Sequence, residues 1–89
     1  MKYALGPLIV DGERGTVTHN GSALNVAPKV ADVLAALCAH AGEFVSKEEL
    51  IAAVWPGGYA DDTTLWQKIS LLRRFLREHL GADPIETLP

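Results

Sequence analysis

The sequence holds a single cysteine, no apolar run longer than seven residues and no excess of positive charge. Each shortage excludes something. Cys38 alone cannot form an internal disulfide, so a reducing cytoplasm is expected and not the life of a stapled, secreted scaffold. The longest apolar run, Val33–Ala39, falls far short of the roughly 20 residues a membrane helix needs. No membrane contact is therefore expected of this segment. Lys2 is followed by apolar residues, but Gly6-Pro7 interrupts them and Asp11 closes them without a cleavage pattern, so this stretch does not read as a signal peptide. Eight Lys and Arg against eleven Asp and Glu leave a net charge of −3, which taken alone weighs against a nucleic-acid partner.

Clusters that carry chemistry are equally scarce. His19, His40 and His79 stand far apart, and the last two fall at helix C-termini, where the dipole accounts for them. With no His/Cys/carboxylate group at ligand spacing, neither a metal nor another cofactor is expected. Asp61-Asp62 is a carboxylate pair in sequence only, since neighbours point apart and N-capping explains them. Gly57-Gly58 lacks a following Gly-Lys-Ser/Thr and reads as a turn, not a phosphate cradle. Cys38, among alanines, reads as a small packed residue. No nucleophile comes with a base and an orienting group, so an enzyme is not expected.

What is present fits one small soluble domain of 89 residues, 48% of them apolar and 21% charged. The spacing predicts a β-sheet over residues 1–26, a three-helix core over 28–80 and a closing strand over 84–89. Short apolar runs between turn signals give strands Lys2–Leu5, Leu8–Asp11, Thr16–His19 and Ala23–Val26. Asn20-Gly21, a dipeptide that tolerates two positive φ angles, should close a tight hairpin. From Pro28 the apolar period becomes 3.6, and Val30, Val33, Leu34, Leu37 and Ala41 make one face of a helix over Pro28–Ala41, with Ala27 as a poor N-cap and Gly42 just past its end.

Ser46-Lys47-Glu48-Glu49 fits a capping box, so the second helix starts at Lys47, buries Leu50, Ile51 and Val54, and stops after Trp55 at Pro56-Gly57-Gly58. The third helix runs from Thr63, behind an Asp61 or Asp62 cap, to Leu80, and Gly81 ends it. Leu65, Ile69, Leu72, Leu76 and Leu80 form its buried stripe. The opposite face carries Thr63, Gln67, Ser70, Leu71, Arg74 and Glu78. Four of the eight basic residues, Lys68, Arg73, Arg74 and Arg77, lie in this helix beside a single acid, Glu78. Phosphate attraction answers to the local field, so a basic helix on an acidic domain can still bind DNA. For Arg77, complementing the helix dipole is an equal explanation.

Pro28-Lys29, Val33-Leu34, the run Ala41-Gly42-Glu43-Phe44-Val45-Ser46-Lys47-Glu48-Glu49-Leu50, Val54-Trp55, Thr64-Leu65 and Ile69-Ser70-Leu71-Leu72-Arg73-Arg74-Phe75-Leu76 together resemble the winged-helix output domain of OmpR/PhoB-type and CadC/ToxR-type transcription regulators. Leu5-Gly6-Pro7-Leu8-Ile9-Val10-Asp11, then Arg14 and Gly21, resemble that family's leading antiparallel sheet. The resemblance implies an α+β winged helix-turn-helix fold and sequence-specific binding of double-stranded DNA, with the third helix in the major groove and a wing at the minor groove. Contact of loop 56–62 with RNA polymerase belongs to the same expectation.

The positions matching the family's DNA-facing ones are Thr63, Gln67, Lys68, Ser70, Leu71, Arg73 and Arg74, with Thr64 and Arg77 in the same segment. Gln67 can pair bidentately with adenine and Leu71 can meet a thymine methyl, while Lys68, Arg73 and Arg74 suit phosphates. Trp55 either donates its indole N–H to a phosphate or packs in the core. Two departures from the family follow. Ile85–Leu88 matches only the first strand of the wing, so the wing hairpin is expected to be incomplete, and its edge offers a route to a homodimer. Leu71 stands where a basic residue is common, and with Phe75 it leaves apolar surface, which favours the alternative of a protein-interaction module that has lost DNA binding.

Overall fold

A computed structural model describes residues 1–85. Strands β1 (Lys2–Leu5), β2 (Leu8–Asp11), β3 (Thr16–His19) and β4 (Ser22–Ala23) form an antiparallel sheet in chain order. Helices α1 (Pro28–Ala39), α2 (Lys47–Val54) and α3 (Asp62–Leu80) follow. The sheet is a meander because each connection is short. Asn20 and Gly21 have φ 50° and 85°, as a two-residue turn matched to strand twist requires. Asp11 makes the β2–β3 turn by accepting the N–H groups of Glu13 and Arg14 on Oδ1, at 3.0 and 3.1 Å.

Alternation along the strands sends Leu8, Val10 and Val17 inward and leaves Ile9 exposed. Register places Val10 opposite Val17 on one side and Tyr3 on the other. The fourth strand differs from expectation: it is Ser22–Ala23, not Ala23–Val26. Leu24 still donates its N–H to the Val17 carbonyl at 2.9 Å. Asn25–Ala27 then leave the ladder, because Pro28 opens α1 and holds its predecessor extended.

Helix α1 covers the inner sheet face with Val30, Ala31, Val33 and Leu34. Ala27 caps it without a side-chain bond. It stops at Ala39 instead of Ala41, because the backbone tightens: His40 N–H reaches Leu37 and Ala41 N–H reaches Cys38, three residues back. Gly42, at φ 82°, belongs to the turn that follows. Cys38 is half-buried there, and burial pushes its thiol pKa up.

Ser46 begins α2 by accepting the Glu49 N–H at 3.1 Å. The return bond of the expected box takes another form, with the Ser46 hydroxyl donating to Glu49 Oε1 at 3.2 Å. Trp55 is the C-cap of α2. Asp61, not Asp62, caps α3, which therefore starts one residue before Thr63. Asp61 Oδ1 accepts the Thr64 N–H at 2.8 Å, and that bond holds its carboxyl below the ordinary value of 3.8. A depressed carboxylate pKa adds stability that is complete above the ordinary value and is lost as pH falls through the folded one. Asp61→Ala is thus expected to lower the unfolding midpoint at neutral pH, with the gap to the unsubstituted chain closing in acid below about pH 4; thermal melts at both pH values check it.

Leu65, Ile69, Leu72 and Leu76 of α3 are buried, and Gly81, at φ 71°, ends the helix with its N–H on the Arg77 carbonyl. The helix packs on α1 and on α2. With α1 between it and the sheet, α3 turns its other side to solvent. Ile85 donates its N–H to Asp83 Oδ1 at 3.1 Å; the rest of the expected wing strand lies outside the described residues.

Candidate nucleic-acid interface

The exposed side of α3 follows from its buried side. At about 100° per residue, Thr63, Gln67, Ser70 and Arg74 fall within about 60° of one another, opposite the leucine stripe. All four are exposed. Leu71, 45% exposed, borders this strip on one edge, and Trp66, 44% exposed, borders it on the other. Together with Lys68 these side chains line a shallow hollow along the helix.

Charge is arranged around the strip more than within it. Lys68 lies on one shoulder and Arg73 and Arg77 on the other, with Arg74 between them. Lys68 and Arg74 meet no carboxylate among the described residues. Arg73 and Arg77 differ from the expected outward cations, because both hold Asp83: their Nη1 atoms lie 3.2 and 3.4 Å from Oδ2. That carboxylate comes from beyond the helix end, so no helical periodicity reveals it. Arg77 keeps 58% of its side chain exposed.

Two further members of the expected set sit off the strip. Thr64 is half-buried and its N–H serves the Asp61 cap. Trp55 is half-buried and packs against the core, with the Lys29 ammonium 5.8 Å from its ring centroid. Lys29 Nζ also donates to the Val54 carbonyl at 2.8 Å, so this cation closes the C-terminus of α2. Of the two roles open to Trp55, packing is the one its surroundings describe.

The apolar patch is also redrawn. Phe75 packs on the core and on His79, ring centroids 4.6 Å apart, so it does not extend the Leu71 surface. Trp66 was not in the expected set. Its position one residue past buried Leu65, on the margin of the apolar stripe, was the available signal.

The helix N-terminus is handled separately. Asp62 would repel a polyanion, but Lys47 Nζ sits 2.7 Å from its Oδ2 and offsets that charge. The same contact ties the start of α2 to the start of α3, and the hydrogen bond to Asp62 raises the Lys47 pKa. A protruding helix with a largely uncharged polar strip, cations on its shoulders and the acid at its N-terminus offset has the chemistry of a groove reader, although Glu78, exposed near the far end of the strip, keeps its charge.

Comparison with known proteins defines the class as a winged-helix DNA-binding domain. The domain family described as "Transcriptional regulatory protein, C terminal" matches residues 21–89, and the chain belongs to this OmpR/PhoB-type family. The transcriptional activator CadC of Escherichia coli is 30% identical over 81 residues, covering 91% of this chain and 16% of CadC. The sensory transduction protein RegX3 of Mycobacterium leprae is 34% identical over 79 residues, covering 89% of this chain and 38% of RegX3. The chain thus spans well under half the length of these relatives. The solved DNA-binding domain of E. coli CadC superposes with a TM-score of 0.78 at 30% identity, over 97% of this chain and 82% of that one. The Klebsiella pneumoniae RstA DNA-binding domain, solved in complex with the RstA box, gives 0.67 at 26% identity, over 84% and 75%.

Proposed function

We propose that this domain binds a specific double-stranded DNA sequence to regulate transcription, with the exposed strip of α3 laid in the major groove. The observation that carries the reading is the strip itself: Thr63, Gln67 and Ser70 free to face base edges, with Arg74 and Lys68 unpaired beside them. The major groove, about 12 Å wide, admits one helix. Gln67 offers a donor and an acceptor to adenine, Leu71 a methyl-sized apolar contact to thymine, and Thr63 and Ser70 hydroxyls that suit either partner. Lys68 and Arg74 take phosphates and set the register. The RstA domain, solved in complex with its box, and the DNA-binding domain of CadC support DNA binding by likeness of fold.

The loop between α2 and α3 extends the reading. Tyr59 there is 85% exposed, and a large, solvent-facing ring beside the DNA-facing helix suits contact with RNA polymerase across residues 56–62. Recognition, not bond making, is the chemistry of such a domain, and chromosomal DNA places it in the cytoplasm. Beyond Ile85, the segment of the homodimer route through Ile85–Leu88 lies outside the described residues.

Fluorescence-anisotropy titration with a duplex enriched from a random pool tests the reading. Affinity is expected to fall steeply with salt. Gln67→Ala should lose about 1–3 kcal/mol of discrimination at one adenine while keeping its salt slope. Salt-insensitive binding, or Gln67→Ala with an unchanged base preference, sinks this assignment.

A further inference from the structure

The acid that pairs with Arg73 and Arg77 has a position that tail geometry alone does not require. Asp83 is only 17% exposed, and its two oxygens are divided between two tasks. Oδ1 accepts the Ile85 N–H, which fixes the carboxylate against the chain leaving α3. Oδ2 takes both guanidinium groups, at 3.2 and 3.4 Å. Among the described residues these three charges, two positive and one negative, meet on the Trp66 side of the reading strip. Partial burial makes such a unit firmer than a pair of surface ions.

Resting on the DNA-binding reading above, we propose that Asp83 is a positioning residue that sets sequence discrimination. Two physical effects act together. The carboxylate removes rotamer freedom from two long side chains before any duplex arrives, so their ordering is not charged to binding. It also cancels one positive charge on that shoulder, which weakens attraction to a phosphate backbone that has merely drifted near. Arg77, still largely exposed, presents its remaining N–H groups outward from a fixed anchor. A phosphate reaches them at full strength only when α3 is seated in register. Loose, sequence-blind complexes are therefore disfavoured relative to the seated one.

Asp83→Asn keeps an oxygen for the Ile85 N–H and deletes the charge. Its affinity for a shuffled duplex at low salt is expected to rise about threefold or more, with the log–log salt slope steeper by about one. The ratio of affinities for the enriched duplex and its shuffled counterpart should fall. Asp83→Ser serves as a second neutral variant should the first fold poorly. Asp32→Asn, an equal charge change on α1 beside Lys29, should leave that ratio unchanged, and the fall in the ratio caused by Asp83→Asn should vanish in an Arg73→Ala/Arg77→Ala background, where only the general gain in affinity from the lost charge remains. An unchanged ratio in both Asp83 variants, an equal fall in Asp32→Asn, or a fall in the ratio that survives loss of the arginines overturns the inference. If the unsubstituted chain binds no duplex at all, it is the function that fails and not the role of Asp83.

Discussion

Leu72→Ala should lower the unfolding free energy by about 2–5 kcal/mol, the range for emptying a well-packed leucine site. A domain of 89 residues has in total about 4–13 kcal/mol to lose. The substitution therefore removes a large part of the stability and in the worst case all of it. The site justifies the upper half of the range: Leu72 is fully buried in a stripe with Leu65 and Leu76, also fully buried, where α3 packs on α1. Little around it can collapse, because Val33, Leu34 and the strand residues Leu8 and Val10 share the same cluster. Urea unfolding followed by circular dichroism should show a lower midpoint at an unchanged slope. Leu71→Ala is the matched control. It alters the same residue type one position along, on the exposed side, and should move stability by no more than about 0.5 kcal/mol. Equal losses from the two would mean that α3 is rotated from the orientation described, and with it the strip formed by Gln67 and Arg74.

That pair of leucines also shows how far sequence carries. Apolar spacing sorts Leu72 from Leu71 correctly because a helix packed on one side exposes the other, whatever the neighbours are. Local backbone chemistry was just as readable: Asn20-Gly21 as a turn with two positive φ angles, Ser46 as a cap, Gly81 as a left-handed stop. Legibility fades where a third element decides. Phe75 and Trp66 both lie on margins of the apolar stripe, and periodicity gives each an angle but not a cover. Phe75 is covered by the core and His79, while Trp66 is left open.

The end of α1 failed for a related reason. A final turn that tightens to bonds three residues back depends on how the following loop docks, and no residue type announces it. Most consequential for the site, Asp83 stands six and ten positions from its arginines, past the glycine that ends the helix. Reading the basic residues of α3 without that acid counts four outward cations where two are held by a carboxylate. The direction of the field survives the correction, since Lys68 and Arg74 were identified and meet no acid among the described residues.

Arg74→Glu is expected to weaken binding to every duplex, enriched or shuffled, by about thirty- to several-hundredfold, and to flatten the log–log salt slope by about two. Reversal does more than deletion at this position. Arg74 lies inside the strip, between the shoulders, so a carboxylate there faces phosphates on both sides of the groove and cannot swing clear as one on a shoulder could. The arginine makes no ion pair among the described residues and is exposed. Its loss therefore leaves the fold within about 0.5 kcal/mol of its original stability, which a urea titration on the same sample checks. Lys68→Ala provides the scale: one phosphate contact removed, a smaller loss, a slope flatter by about one and the same base preference as before. The three substitutions separate what a single one confounds. The Gln67 change is expected to alter which sequence is chosen, the Lys68 change how strongly any sequence is held, and the Arg74 change whether the helix enters the groove. An Arg74→Glu chain that stays folded and binds shuffled duplex as tightly as the unsubstituted protein at low salt means that DNA approaches another face, and the assignment of α3 falls with it.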